Sequence, residues 1–390
     1  MTGAASEPAG LPAAEQGPRW GDPGPDGHAR RDFVAAQFRD FVRQTESDGS
    51  RLYARLSAAV ADDDALLALA DRALPGQRRP NLFFAAVRLL LLRHPEEPLA
   101  AFHPDIAGRR PPADGPGSDD PVALLGELCL RRRDELLAEI TTRLVQTNEP
   151  RRCVVIRPGL QAIAQREGVT ELAVCDVGTS AGFTLRMNRF GYDYGAGRRV
   201  GDLGAALQLA CELRGPLIPP CAAPLHLGWR TGIDLDPIDV DDPDSLSWLE
   251  ALIWPGDAER LRRVRLAAEA VRADPLRIRT GNAAGALPAA AADAPPHLPL
   301  VVITTYALAH FSHADRELFG TTIAGVARDR PVWWLTTAGR NELDRSGVEL
   351  RARRLHAGAV REDVLLCTHH PHGVWLEWID PATAAAVGPP

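Results

Sequence analysis

The sequence lacks the features that would place the chain in a membrane or on nucleic acid. It contains no run of about 18 apolar residues, the length that a membrane-spanning helix needs. Its first residues include proline, glycine and glutamate in place of an apolar signal segment. The net charge of −7 opposes nucleic-acid binding, because domains with that role are usually basic. We therefore expect neither a membrane nor a nucleic acid among its partners.

The sequence also lacks paired cysteines. Its six cysteines are scattered and form no CxxC pair: Cys129, Cys153, Cys175, Cys211, Cys221 and Cys367. This spacing does not suit a disulfide framework or a zinc site. Free cysteines are among the most buried residue types, and thiols stay reduced in the cytoplasm. We therefore expect buried thiols, no metal and a cytoplasmic location.

What is present indicates a globular protein with two parts. The chain has 390 residues, of which 45% are hydrophobic and 24% are charged, which is enough for a sizeable core. Residues 1–29 are rich in glycine, proline and alanine and predict a disordered tail. Over residues 30–150, apolar residues recur at helical spacing without a convincing strand, which predicts an all-helical N-terminal region.

Residues 151–390 change to short apolar strands that alternate with helical stretches. This order is typical of βαβ units and predicts an α/β domain with a mostly parallel sheet. We expect an antiparallel hairpin at its C-terminal end, around His369–His372, where an interrupting proline and the lack of a nearby acid oppose a metal site. Residues 191–226 form an insertion that we expect to close over a substrate, with Tyr192 and Tyr194 on the substrate side.

A turn of small residues follows the first predicted strand. Asp176 lies at the end of the strand, and the turn into a predicted helix contains Gly178, Thr179, Ser180 and Gly182. Small residues let the backbone come close to a ligand and leave N–H groups available at the start of the helix. The D-x-G-x-S-x-G spacing resembles the first motif of Rossmann-like methyltransferases that use S-adenosylmethionine, with Ser180 in place of the middle glycine.

The same letters support two other interpretations. G-x-S-x-G is also the nucleophile elbow of α/β-hydrolases, which would make Ser180 a nucleophile. Its acid would be Asp234 or Asp236, and its base would be one of four histidines: His310, His369, His370 or His372. Against this, a hydrolase sheet has several strands before its nucleophile, whereas only helices are predicted here, and no glycine-rich oxyanion loop precedes the turn. The third interpretation is a structural turn without a ligand.

Polar residues after the next strands are further candidates, because open α/β sheets bind ligands at the carboxyl ends of their strands. Asp234 and Asp236 suit ribose hydroxyls, or else they belong to a solvated loop or a helix cap. Asn282 suits adenine, because an amide both donates and accepts hydrogen bonds, or else it forms a turn. At the end of the fourth strand, the acceptor-side candidates are Thr304, Thr305 and Tyr306. Tyr306 and His310 are candidate bases, or else His310 is a helix-face histidine without a catalytic role.

Six separated segments together resemble one family. They are Arg143 with Gln146-Thr147-Asn148-Glu149, Val177–Gly182, Tyr192–Gly195, Gly232–Asp239, Trp254-Pro255 and His370–Gly373. Over about residues 32–380 the chain is similar to a family, common in actinobacteria, that is catalogued as domain of unknown function 2332 (DUF2332). The chain departs from the family pattern at three places: Asp176 replaces glutamate, Asn282 replaces aspartate, and Thr304-Thr305 replaces a His-Ser pair.

The resemblances imply a Rossmann-like fold and an enzyme that transfers a methyl group from S-adenosylmethionine to a small molecule. The turn residues would then lie along the methionine part of the cofactor, and Asp176 would face its ammonium group. From the helical side, Gln146 and Asn148 would close the pocket, and Glu149 is a third candidate base. A serine hydrolase and a non-catalytic or regulatory protein on the same fold are the alternatives.

Overall fold

The computed structural model describes residues 27–47, 49–108, 120–146, 149–222, 224–339 and 347–385. The predicted tail, residues 1–29, lies outside these ranges except for its last three residues, which begin the first helix. The described residues form two compact units. The helical unit lies within Trp20–Thr147 and Ile238–Arg262, and the sheet unit lies within Asn148–Pro237 and Arg263–Pro390.

The helical unit packs short helices around α4. Its helices are α1 (Gly27–Ser47), α2 (Arg51–Asp62), α3 (Asp64–Ala70), α4 (Pro80–Arg93), α5 (Pro104–Ala107), α6 (Pro121–Arg131), α7 (Arg133–Ile140) and α9 (Pro243–Ala251). Helix α4 begins with proline, which suits the first turn because the N–H that proline lacks would have no partner there. Most of its side chains are buried, and Phe38, Phe41 and Tyr53 pack around its Phe84.

Residues 238–262 pack with the helices, although the sequence predicts that they belong to the α/β part. Helix α9 lies against α4, and Trp248 in α9 donates a hydrogen bond to the carbonyl of Leu144 at 3.0 Å. Trp254 packs edge-on against Phe41. Trp248 is fully buried and Trp254 is half-buried, and both rings pack within the helical unit, which explains why this segment leaves the sheet unit.

The sheet unit is α/β and contains one large mixed sheet. The strands described in it are β1 (Glu171–Val177), β5 (Glu212–Arg214), β6 (His226–Asp234), β7 (Ile278–Thr280), β8 (Leu300–Thr304), β9 (Val332–Gly339), β10 (Val348–His356), β11 (Ala359–His369) and β12 (Trp375–Trp378). They lie in the order β5-β12-β11-β10-β9-β8-β1-β6-β7. The strands from β9 to β7 are parallel, whereas β9 to β12 alternate in direction. The predicted α/β class, the mostly parallel sheet and the antiparallel C-terminal strands are confirmed.

The helices of this unit are α8 (Cys153–Glu167), α11 (Ala283–Asp293), α12 (His313–Val326) and most of α10 (Ala258–Ala273). Strand β1 lies between β6 and β8 and is buried from its second residue onward, so its apolar run fits a strand covered on both faces. The chain runs outward from β1 to β6 and β7, and then returns to β8 and β9 on the other side. This reversal creates a topological switch point between β1 and β8, where open α/β sheets form ligand crevices.

The insertion over residues 191–226 is built into the fold. The strands β2 (Gly191–Asp193), β3 (Arg199–Gly201) and β4 (Gln208–Ala210) form a small sheet, and β5 joins the large sheet beside β12. Tyr192 and Tyr194 are fully buried, and their hydroxyls donate to the carbonyls of Met187 at 2.5 Å and Val154 at 2.8 Å. The prediction that these two tyrosines lie on the substrate side is therefore wrong, because both are held inside the unit.

All six cysteines are buried and none of them is in a disulfide. Within the described ranges, no helix is both long enough and apolar enough to cross a bilayer.

Candidate functional site

The small-residue turn after β1 has an unusual backbone. Gly178, Ser180 and Gly182 all have positive φ angles, of 75°, 51° and 75°. At Ser180 such an angle is strained, because a side chain rarely adopts it. Gly178 is required for a second reason: a Cβ atom there would lie 2.6 Å from the Cβ of Ala307. The space over Gly178 is thus filled by protein, whereas a Cβ on Gly182 would lie 3.5 Å from its nearest neighbour, in Ile278.

Asp176 is a buried carboxyl beneath this turn. Only 2% of its surface is exposed, and the hydroxyl of Thr179 donates to its Oδ2 atom at 3.0 Å. Burial, with a smaller contribution from the charge of Asp234, raises the pKa of Asp176 to about 7 against the lowering effect of hydrogen bonds from Thr179 and Thr184. The group therefore changes its charge near neutral pH.

Asp234 ties the turn to the loop after β6. Its Oδ2 accepts the N–H of Ser180 at 2.7 Å, and its Oδ1 accepts the N–H of Asp236 at 3.0 Å. Burial raises the pKa of Asp234, while these backbone hydrogen bonds oppose the rise. Asp236 is exposed. Asp234 therefore holds the two loops together, whereas Asp236 faces solvent.

Asn282 follows β7 and caps α11. Its Oδ1 accepts the N–H of Ala284 at 2.9 Å, which satisfies a donor in the first turn of the helix. The neighbouring Gly281 donates its N–H to the backbone carbonyl of Asp234 at 2.8 Å. Asn282 therefore has a structural role as a helix cap, whereas the structural alternative weighed from the sequence was a turn residue. It lies at the same edge of the sheet as the two aspartates.

Thr304, at the end of β8, is fully buried within the sheet. Its hydroxyl accepts from Trp334 Nε1 at 2.8 Å and donates to the Thr336 hydroxyl at 3.0 Å. The prediction that Thr304 faces an acceptor is wrong, because its hydroxyl is used between strands. Thr305 is half-buried at the carboxyl end of the strand.

Tyr306 and His310, the two candidate bases after β8, differ in their surroundings. Tyr306 has a φ of 61°, and its N–H donates to the hydroxyl of Thr337 at 2.9 Å. The guanidinium of Arg152 lies 3.9 Å from the centre of the Tyr306 ring, within cation–π distance. His310 is exposed at the end of the 3-10 helix Ala307–His310.

Glu149 is held by an arginine and does not suit the predicted role of base. It is 3% exposed, and Arg263 donates to both of its oxygens, at 2.9 and 3.1 Å. The N–H of Arg151 donates to Oε1 at 3.0 Å. A proton could reach this carboxylate only if a buried bidentate pair were broken. The structure therefore assigns Glu149 to the 3-10 helix Pro150–Arg152, just before α8, as an anchor.

Gln146 and Asn148 are predicted to close the pocket from the helical side. Asn148 lies outside the described residues, and Gln146 is half-buried in the helical unit. Both therefore stay predictions.

The loop His370–Gly373 is bound to the 3-10 helix Pro150–Arg152, which precedes α8. Arg151 Nε donates to the carbonyl of His372 at 2.9 Å, and Arg152 Nε donates to the carbonyl of Pro371 at 3.1 Å. Gly373 has a φ of 68°, and a Cβ there would lie 2.5 Å from the carbonyl of Arg151. The two arginines were missed as functional residues. The signal that could have found them is that Glu149, which lies just before the two arginines, and the His370–Gly373 motif both belong to the segments that resemble the family.

His369 lies at the end of β11, on the same edge of the sheet as the end of β8. Its Nδ1 lies 2.9 Å from the carbonyl of His370, so Nδ1 carries the proton and donates it. Burial lowers the pKa of His369 to about 4, so the ring is neutral at physiological pH. The proton on Nδ1 is donated to a backbone carbonyl and not to a carboxylate, and burial opposes the charged ring, so His369 does not suit the role of a hydrolase base.

The hydrolase interpretation finds little support in this geometry. Strand β1 is the first strand of the described residues, so no strands precede Ser180 as a hydrolase sheet would require. Both oxygens of Asp234 accept backbone N–H groups, so this acid orients the loops.

Comparison with known families gives one match. Residues 35–378 match the family described as an uncharacterized protein conserved in bacteria, DUF2332. The chain belongs to this family. The match covers every described strand of this DUF2332 protein and all of the candidate site residues. No curated protein and no solved structure matches the DUF2332 chain.

Proposed function

We propose that the sheet unit binds S-adenosylmethionine at the carboxyl ends of β1, β6 and β7 and transfers its methyl group to a small molecule. The observation that carries this proposal is the position of Asp234. Its carboxylate accepts the N–H groups of Ser180 and Asp236, and its backbone carbonyl accepts the N–H of Gly281. One residue thus joins the loops that follow three adjacent parallel strands.

The strand order supports a Rossmann-like fold. Counted along the chain as β1, β6, β7, β8 and β9, the parallel strands lie in the order 3-2-1-4-5. This is the order of doubly wound nucleotide-binding sheets, in which the ligand lies at the switch point. The candidate residues follow the first three of these strands, and the antiparallel strands extend the sheet at the opposite side.

The short helix after the turn favours this cofactor over a dinucleotide. Dinucleotide sites hold a pyrophosphate at the N-terminus of an α-helix. Here the turn leads into the 3-10 helix Thr184–Arg189, which has six residues and therefore a weak macrodipole. S-adenosylmethionine carries no phosphate, so it has no need of such a helix.

The side chains at this edge suit the groups of the cofactor. Asp176 is buried and ionises near neutral pH, which suits a cationic ammonium group. Each oxygen of Asp234 accepts one backbone hydrogen bond, and a carboxylate oxygen has a second lone pair for a ribose hydroxyl. Asn282 adds an amide at the start of α11. The bound cofactor supplies an electrophilic methyl group on a sulfonium centre.

The chain itself contributes alignment of the two reactants. Strand β8 pairs with β1, so the residues that follow β8 lie across the switch point from the cofactor residues. We assign the acceptor side to Thr305, Tyr306 and His310. The exposed position of His310 suits a group that takes a proton from the acceptor and passes it to solvent.

Calorimetric titration with S-adenosylmethionine and S-adenosylhomocysteine tests the proposal. We expect micromolar binding to the wild type and its loss in Asp176→Ala and in Gly182→Val, since valine is strained at a φ of 75°. The control is Asp329→Ala, which removes an exposed carboxyl after α12 and should bind as the wild type does. Absence of heat with both ligands, in protein shown to be folded, would refute the proposal and favour a non-catalytic protein.

A further inference from the structure

Three arginines converge on one carboxylate away from the proposed cofactor site. Arg230 in β6 donates to Asp274 at 3.1 and 3.4 Å. The Nε atoms of Arg189 and Arg186 lie 3.6 and 3.8 Å from the same carboxylate. Burial alone would raise the pKa of Asp274, but the hydrogen bond from Arg230 and the three guanidinium charges hold it below its usual range. One negative charge therefore faces three positive charges.

Arg186 is buried more deeply than a charged side chain normally is. Its side chain is 1% exposed, and its Nε atom has no hydrogen-bond partner among the described residues. Burial, together with the charges of Arg230 and Arg189, lowers the pKa of Arg186 to about 10, although Asp274 opposes the shift. A buried guanidinium that shares one carboxylate with two others is under-compensated, which is costly unless an anion pairs with it.

A cavity adjoins this cluster and is also basic. It has a volume of about 210 Å³, and Arg230 belongs both to the cluster and to its lining. The lining also contains Arg277 and Arg279, with Asp293 as the carboxylate that pairs with Arg279. The Nε atom of Arg279 is a second buried guanidinium nitrogen without a partner among the described residues.

The charges around the cavity point to an anionic ligand. The cluster and the lining together hold five arginines and two aspartates, an excess of three positive charges, in a chain whose net charge is −7. We propose that this cavity binds the phosphate group of a small phosphorylated molecule. This site is separate from the proposed methyl-transfer site and does not depend on it.

Phosphate fits better than a carboxylate for two reasons. A phosphate monoester carries close to two negative charges at neutral pH, which matches the excess better than a single charge. Its oxygens accept from several guanidinium forks at once, and Arg is the usual partner for such planar, bidentate contacts. Trp229 also lines the cavity and offers a flat surface for an organic substituent on the phosphate.

Titration calorimetry of the full chain with inorganic phosphate tests the proposal, with chloride at equal ionic strength as the reference. We expect phosphate to bind and chloride to give no heat. The test variants are Arg189→Gln and Arg277→Gln, which are exposed and should fold normally. Arg277→Gln should weaken binding by about tenfold or more, because it removes a charged side chain of the lining. Arg189→Gln removes a charge of the neighbouring cluster, outside the lining, and should weaken binding by a smaller factor. The control is Arg361→Gln, an exposed arginine of β11 that should bind like the wild type.

Asp274→Asn gives a prediction of the opposite sign. It removes the carboxylate that competes for the three guanidinium groups, so phosphate should bind more tightly than to the wild type. A purely structural cluster gives no such gain. A titration with phenyl phosphate distinguishes an organic phosphate from free phosphate as the ligand. If phenyl phosphate binds more tightly than inorganic phosphate, the site takes an organic phosphate; if the two bind equally, the site recognises the phosphate group alone. Three results would overturn the proposal: no binding of phosphate to the wild type, binding by both test variants as tight as that of the wild type, or weaker binding by folded Asp274→Asn than by the wild type.

Discussion

Replacing Asp176 with asparagine should stabilise the protein at alkaline pH. The pKa of this carboxyl rises from 3.8 to about 7 on folding. A raised pKa means that the folded state binds the proton more tightly than the unfolded state does. The stability associated with the protonated carboxyl is therefore present at acidic pH and is lost as the pH rises from about 4 to about 7. At about 1.36 kcal/mol per pKa unit, the loss amounts to about 4 kcal/mol.

Asparagine is neutral at every pH and keeps an oxygen that can accept from the Thr179 hydroxyl, as the aspartate does. The variant should therefore gain stability relative to the wild type as the pH rises. Between about pH 5 and about pH 8 the difference in unfolding free energy should grow by about 2–3 kcal/mol. Comparison of variant with wild type at each pH cancels the titration of the other groups.

Urea unfolding followed by tryptophan fluorescence at the two pH values measures this difference. Asp236→Asn is the matched control, because it removes an exposed carboxyl of the same sheet edge and should change stability by less than about 0.5 kcal/mol. A stability difference for Asp176→Asn that is the same at both pH values would refute the assignment of the raised pKa to this carboxyl.

Three further outcomes follow from the site. Glu149→Gln should lower the unfolding free energy by about 3–5 kcal/mol, because it leaves Arg263 buried without its charge partner; an effect below about 1 kcal/mol would contradict the anchoring role. Gly373→Ala should destabilise the protein more than Gly195→Ala does, since both glycines have positive φ but only a Cβ at Gly373 meets a backbone carbonyl, that of Arg151; equal urea midpoints would count against the close contact between the His370–Gly373 loop and Arg151. Affinity for S-adenosylmethionine should increase as the pH rises through about 7, because the cation needs Asp176 ionised; a pH-independent dissociation constant would argue against that contact.

The parallel strands could be predicted from the sequence because each is a short apolar run bounded by turn residues. Leu300–Thr304 is buried throughout, as expected of a strand covered on both faces. Strand β10 does not stand out in the same way. Along Val348–His356, arginines and a glutamate are interspersed with apolar residues, so this segment lacks the continuous apolar run that marks the parallel strands, although one of its faces is buried.

The site was predictable where it depends on neighbours in sequence and not where it depends on distant partners. The turn and its acid lie within seven residues, Asp176–Gly182, and their spacing alone marks them. The partner of Glu149 is Arg263, 114 residues away, so nothing local reveals that the carboxylate is an anchor. For the same reason Thr304 looks available in sequence, while Trp334 and Thr336 occupy its hydroxyl in the fold.

The pairing of β5 with β12 has a consequence for the order of events during synthesis. The two strands form a parallel pair, with Trp375 opposite Glu212 and Glu377 opposite Arg214. The insertion that carries β5 leaves the ribosome long before its partner exists. That edge of the sheet can close only after residue 378 has emerged from the ribosome, so the pairing of β5 is delayed long after its own synthesis. Until then the nascent chain presents an unpaired strand, and a chaperone that covers strand edges would find its target there.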